Sequence, residues 1–385
     1  VILARSFAPA ELGQFFFSIS IIAAVTGLGL PGINSALISS VVKGEMGTFR
    51  RALAWKLSGG AIAGTAFLIL SLLANERGVA PWANYVVALL LPLAFCDCGH
   101  TILIARHRFS LLSLVGFAQK IVTVAALSVI ALSSLSIEWY FLASTAVQAT
   151  SNLLVLRKQW ASIGNSPECD TPALKYGIHL TLSNALLQPL TQLDKLLVGV
   201  FLGADQLAVF GLGEMVFGML KRIGTHVQSL YPPRIAKLSF SSSETYLLRH
   251  CGLWLIAAFF SLAVFSGLFP ILYPVIFGGT YGEAARIAVW YSFAFALGLP
   301  NNFVLVQLRH LQATRATYLY GLTKGPFQLL MILSGFSLLG PIGLPIGRGV
   351  SAGLHACYGA YLVHQSRRGR WESSEALIAE KNPLL

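Results

Sequence analysis

Apolar stretches of about 20 residues, the length a helix needs to cross a bilayer, recur along this chain from one end to the other. Eleven can be drawn, near 12–42, 55–74, 79–97, 110–133, 138–156, 174–203, 206–232, 250–277, 284–308, 316–338 and 341–365. Charged residues make up only 11% of the chain, against about 25% in an ordinary soluble domain. A disordered chain, a disulfide scaffold and a typical soluble enzyme are excluded. The sequence predicts an all-α polytopic membrane protein.

The net charge of +12 invites a nucleic-acid reading, but the positions of the cations favour membrane topology. Nineteen of the 27 Lys and Arg fall in one set of alternate segments: Lys43, Arg50, Arg51 and Lys56; Arg106 and Arg108; Arg157, Lys158 and Lys175; Arg234, Lys237 and Arg249; Arg309, Arg315 and Lys324; Arg367, Arg368, Arg370 and Lys381. The opposite set holds Arg5, Arg77, Lys195 and Arg286, and Lys120, Lys221, Arg222 and Arg348 lie inside spans. An excess of Lys and Arg marks the cytoplasmic side, so the C-terminal tail is cytoplasmic and Arg5 external. One further helix is then expected ahead of residue 1, because the chain opens like the last turn of a helix, Val1-Ile2-Leu3-Ala4-Arg5. No nucleic-acid partner is expected.

The longest polar stretch before the tail runs from Ala161 to Pro172 and has linker composition, with Asp170 or Thr171 placed to cap the next helix. It separates an N-terminal bundle (1–160) from a C-terminal one (174–366), with a cytoplasmic linker over 161–173 and a cytoplasmic tail over 367–385. The segment from Leu3 to Leu12 sets beside that from Leu197 to Leu207 with one inserted residue. In each case one helix ends, the chain turns outside, and a long helix runs inward. The fold expected is two parallel, pseudo-symmetric six-helix bundles, eleven of the helices being present. Such repeats characterise transporters that rock one bundle against the other around a site between them. Pro31, Gly32, Pro92, Pro189, Pro270, Pro274 and Pro300 interrupt the spans, as ordinary kinks or where a wet cavity satisfies the freed backbone.

Polar residues inside the spans form stripes. On 174–203, Thr181, Asn184, Gln188, Thr191, Gln192 and Lys195 share a face about 100° wide, with Asp194 adjacent to Lys195. On 206–232, Glu214, Gly218, Lys221, Thr225 and Gln228 share a narrower face with Arg222 on its flank, and on 341–365 Arg348, Ser351, His355 and Tyr358 recur at helical spacing. Lys120 stands alone. Two readings remain open. The stripes are polar glue between helices, with Glu214 paired to Lys221, or they wall a hydrated cavity. Charges at mid-membrane are costly, and cations outnumber acids here, which suits an anionic, phosphate-bearing ligand. Lys195, Lys221, Arg222, Arg348, Lys120 and Arg5 are the candidate anion contacts, and Asp194 and Glu214 the candidate ion-coupling acids.

Chemistry at a catalytic site finds no support. HExxH, GxSxG and P-loop motifs are lacking, the histidines are scattered, and the loops are short. Five cysteines without a CxxC pair read as free thiols. No metal and no cofactor is expected.

Several strings resemble a known family. Leu3-Ala4-Arg5 followed by Pro9-Ala10-Glu11-Leu12-Gly13 is similar to the opening of polysaccharide flippases. Leu174-Lys175-Tyr176-Gly177, the run Leu193–Gly203, and Pro233-Arg234-Ile235-Ala236-Lys237 resemble its seventh and eighth helices. The family is the polysaccharide/O-antigen (Wzx-type) branch of the multidrug/oligosaccharidyl-lipid/polysaccharide (MOP) exporter superfamily. The resemblance implies a two-lobed transporter, not an enzyme, in the bacterial cytoplasmic (inner) membrane, that moves an undecaprenyl-pyrophosphate-linked oligosaccharide outward for O-antigen, capsule or exopolysaccharide synthesis. Its surroundings would be membrane lipids and the polysaccharide polymerase and chain-length machinery. Lys195, Lys221 and Arg222 would then contact the pyrophosphate, and Asn184, Gln188 and Gln192 the sugar hydroxyls. The competing readings are a multidrug exporter of the antimicrobial-extrusion branch, favoured by an essential acid in the N-terminal bundle, and a membrane-embedded polymerase or ligase, favoured by a long periplasmic loop.

Overall fold

A computed structural model describes residues 2–74, 77–160, 170–185, 187–230, 240–311 and 313–367. Every regular element among them is helical. The chain divides into two compact units, Val1–Ala208 and Val209–Leu385. The first contains α1 (Ile2–Ser6), α2 (Pro9–Val25), α3 (Ile33–Lys43), α4 (Thr48–Leu73), α5 (Pro81–Ala94), α6 (Cys98–Ala105), α7 (Phe109–Leu132), α8 (Ile137–Trp160), α9 (Thr171–Ala185) and α10 (Leu187–Phe201). Helix α11 (Ala204–Leu230) begins at its end and runs into the second unit. There follow α12 (Phe240–Phe277), α13 (Gly282–Gly298), α14 (Pro300–His310), α15 (Thr314–Leu339) and α16 (Gly343–Arg367).

Among the described residues, seven stretches are long and apolar enough to span a membrane, and the last of them, Arg315–Ser366, holds both α15 and α16. The more polar α8, α9 with α10, and α11 complete the series, so a helix, whole or broken, stands at each of the eleven stretches read from the sequence. The chain is a multi-pass, all-helical membrane protein.

Prolines set the breaks. The first stretch splits where α2 gives way to a 3₁₀ turn (Thr26–Gly29), Leu30 adopts a left-handed φ of 56°, and Pro31 precedes α3. The stretch over 174–203, read as one helix, is two. Pro189 sits in the first turn of α10 and has no N–H for the carbonyl of Ala185. The third stretch ends α5 two residues after Pro92 and restarts at α6. The carbonyls freed there are not left bare, since Asn152 of α8 donates its Nδ2 to Leu93 O at 3.0 Å and Ala94 O at 2.8 Å. The ninth stretch breaks in the same way before Pro300. Asn301 donates its Nδ2 to Gly298 O at 3.1 Å and to Ala352 O of α16 at 2.9 Å. The third and the ninth stretches are therefore both discontinuous and braced by an asparagine. By contrast, Pro270 and Pro274 lie inside α12 without ending it.

Between helices in lipid there is no hydrophobic driving force, so close packing and interhelical hydrogen bonds carry association. The α3–α9 contact shows both. Gly32 N–H donates to Thr181 Oγ1 at 3.0 Å, and a Cβ on Gly32 would collide with the Gly177 carbonyl. The seam ends in a polar latch. Lys43 Nζ lies 2.9 Å from Asp170 Oδ2, Asp170 N–H donates to Thr48 Oγ1 at 2.8 Å, and Asp170 Oδ1 caps α9 by accepting from Ala173 N–H at 2.8 Å. The hydrogen bond from Lys43 and then that from Ala173 hold the Asp170 carboxyl below its ordinary range, and Asp170 in turn raises Lys43.

Candidate functional site

In the second unit, three cations from three helices converge. Gly203, at φ +87°, makes the turn that launches α11. Contacts with α12 and α13 then seat the helix. Tyr273 donates its hydroxyl to Leu212 O at 3.2 Å, and the Tyr291 ring meets Phe210 at 5.7 Å and Phe217 at 5.2 Å. Lys221 follows Phe217 by one turn, on the same face. Arg348 of α16 enters from the other side, 8% exposed, its guanidinium 5.4 Å from the Phe217 ring centre and 5.9 Å from that of Tyr291. Rings at that range attract a cation and fix its plane. Lys324 of α15 completes the group, close enough to feel the charges of Lys221 and Arg348. Glu214, half-buried and two turns before Lys221, is the acid that acts on Lys221.

Lys221 and Lys324 are exposed, whereas Arg348 is buried. Beside Lys324, His355 is buried and stacks on Tyr320 with ring centres 4.1 Å apart. Tyr320 hydrogen-bonds Asn301, which ties the group to the α13–α14 break.

The other predicted residues fall as follows. Thr181 is consumed by packing, accepting from Gly32 and donating to Gly177 O. Gln188, Thr191, Gln192 and Lys195 are half-buried on α10, with Thr191 Oγ1 donating to Gln188 O at 2.7 Å. Asp194 is fully buried. Arg222 is exposed next to Lys221, Arg5 is exposed on α1, and Lys120 is exposed on α7 among Leu114, Phe117, Ile121 and Val124. The side chains of Asn184, Thr225 and Gln228 lie outside the described residues, as do most of the linker and the tail.

Two of the cations counted in the cytoplasmic segments, Lys324 and Lys56, lie well inside helices. Lys324 sits within α15. Lys56 sits within α4, 2% exposed, because α4 starts seven residues earlier than the apolar stretch. Its Nζ lies 2.6 Å from Asp97 Oδ1, and Asn34 Nδ2 donates to Asp97 Oδ2 at 2.7 Å. The α5–α6 break holds Asp97 there. A Lys one turn inside a span, with an acid at the next helix break, is the sequence signal for that pair.

These helices have the fold solved for membrane transporters of the MOP superfamily. An inward-facing multidrug resistance MATE family transporter of that superfamily superposes with a TM-score of 0.68 at 14% identity, over 95% of this chain and 92% of that one. A MOP superfamily transporter from Pyrococcus furiosus, described as having a binding pocket of reverse polarity that suggests a different function, gives 0.64 at 14% identity over 95% and 90%. The chain belongs to the polysaccharide biosynthesis protein family, whose model matches residues 2–284. A stretch of 113 residues is 33% identical to the amylovoran biosynthesis protein AmsL of Erwinia amylovora, and it spans 29% of this chain and 29% of that relative's length. Family and fold agree with the motif resemblance: the chain is a polysaccharide biosynthesis protein built on a fold that MOP superfamily transporters share.

Proposed function

We propose that the protein flips an undecaprenyl-pyrophosphate-linked oligosaccharide from the cytoplasmic to the periplasmic leaflet by alternating access, without a chemical step. The observation that carries this reading is the convergence of Lys221, Lys324 and Arg348 in the second unit, with Glu214 as the acid beside Lys221. A diphosphate matches such a group in charge, and an oriented guanidinium matches it in shape. The half-buried Gln188 and Gln192 of α10 offer the donors and acceptors that sugar hydroxyls need. An exporter of organic cations would be served by the opposite sign of charge. Asp194 and Glu214 are the coupling acids of this reading, and the polymerase and chain-length machinery its downstream partners.

Replacing Lys221 and Arg222 together by alanine, and separately Lys324 by alanine, tests the proposal. Each variant should accumulate in the membrane at normal level while surface polysaccharide falls at least tenfold and lipid-linked oligosaccharide builds up on the cytoplasmic leaflet. Normal surface polysaccharide in both variants would remove these residues from the site and the reading with them.

A further inference from the structure

A cavity of about 560 Å³ lies between α12, α14 and α16 of the second unit. Its size falls within the ~300–1,000 Å³ of ligand-binding cavities. The walls are almost wholly apolar, among them Leu255, Phe259, Val304 and Ala356. It is not the cation site seen from behind. On α16 the cavity is lined by Gly353, Cys357, Ala360 and His364, whereas Arg348, Ser351 and His355 belong to the other stripe. At 100° per residue the two faces are centred roughly 160° apart. The cavity opens on a surface built from spans, since Leu248 is 65% exposed and Cys357, Ala360 and His364 are exposed as well.

One side chain does not belong in an apolar wall. Gln307 is 5% exposed and lines the cavity, yet neither its amide nitrogen nor its carbonyl oxygen has a hydrogen-bond partner. Leaving both ends of a carboxamide unmet in apolar surroundings is expensive. A lone water does not relieve it well, because ordered buried waters take about three partners and these walls add little beyond His364. What fits is a ligand that is hydrocarbon for most of its length and carries both an acceptor and a donor at the depth of Gln307. That depth is the end of a span, one residue from Leu308, where the ester and headgroup region of a lipid lies. His364 at the mouth, and Arg249 beside Leu248 at the same end, favour an anionic headgroup over an ammonium one.

We infer that this cavity is a binding site for one acyl chain of an anionic, hydroxyl-bearing glycerophospholipid of the phosphatidylglycerol type. The Gln307 Nε2 donates to an ester carbonyl, and Oε1 accepts from a headgroup hydroxyl. The site is separate from the cation cluster, so it stands or falls independently of the flippase reading.

The test uses the full chain, purified in detergent and stripped of lipid, with phosphatidylglycerol added back. Binding is read by native mass spectrometry and by the shift of the thermal midpoint. Two variants address the site. Ala360→Trp fills the cavity from an exposed position, and Gln307→Leu removes the unmet amide while keeping the volume. The wild type should retain one phosphatidylglycerol and gain thermal stability from it. Ala360→Trp should lose both effects, and Gln307→Leu should bind at least tenfold more weakly while melting no lower than wild type in the stripped state. Undiminished retention in both variants would overturn the inference. So would equal retention of phosphatidylethanolamine, or displacement of phosphatidylglycerol by equimolar undecaprenyl phosphate, which would assign the cavity to an ammonium lipid or an isoprenoid. A stripped Gln307→Leu protein that melts well below wild type would make Gln307 a structural residue and refute its role toward a ligand.

Discussion

The Lys56–Asp97 pair predicts an asymmetry that can be measured. The two side chains differ sharply in burial, with the lysine side chain 3% exposed and the aspartate 41%. Removing one partner of a buried pair costs about 3–5 kcal/mol, because the other charge stays behind without compensation. Asp97→Ala leaves the ammonium inside the bundle and strips Asn34 of its acceptor too, so the full cost applies. Lys56→Met leaves a carboxylate whose Oδ1 is buried but whose side chain is two-fifths accessible and whose Oδ2 still receives the Asn34 amide at 2.7 Å. Its loss should be nearer the roughly 1 kcal/mol typical of exposed pairs. The double variant should recover at least 2 kcal/mol of the sum, since it removes both charges at once. At 1.36 kcal/mol per decade, the gap between the single variants amounts to more than a tenfold difference in the unfolding equilibrium. Reversible unfolding in mixed micelles, followed by tryptophan fluorescence, gives all four corners of the cycle. Equal losses in the two single variants, or additive losses in the double, would refute the claim that differential burial governs this pair.

Two other outcomes are expected. Gly32→Leu should separate α3 from α9, with an overpacking cost of about 1–3 kcal/mol or more, while Gly116→Leu, where nothing lies within 4 Å, should melt like wild type; limited proteolysis and melting curves check both. At the latch, Lys43 and the α9 N-terminus depress the Asp170 carboxyl, so its contribution is present above the ordinary carboxylate range and is lost as pH falls through the depressed value. Asp170→Asn should therefore lower the thermal midpoint at pH 7, and the difference should vanish in acid, which a pH series of melting curves reads directly.

The helices were legible because each stretch needs only length and apolarity, and charge alternation then orders them. The breaks were legible as prolines, but what heals them was not. Asn152 lies 58 residues from the Ala94 carbonyl it bonds, and nothing local marks it. The stripe on α16 survives as a buried row of Arg348, Ser351 and His355. The stripe on 174–203 does not act as one unit, because Pro189 divides it and packing takes Thr181. Lys324 was missed because a cation one-third of the way along a helix, near basic loops, satisfies the topology count equally well from inside. Only the meeting of α11, α15 and α16 reveals that it faces Lys221 and Arg348.

The asparagine braces also bear on how this molecule can bend. A continuous helix resists flexing along its whole ladder, whereas the α5–α6 and α13–α14 stretches are already parted, each with its loose carbonyls held by one side-chain amide. Each such hydrogen bond is worth about 1 kcal/mol net, and each brace makes two. The residues between Leu93 and Cys98 are therefore a joint clamped by the Lys56–Asp97 charge pair as well as by an amide, and those around Leu299 a joint held by the amide of Asn301.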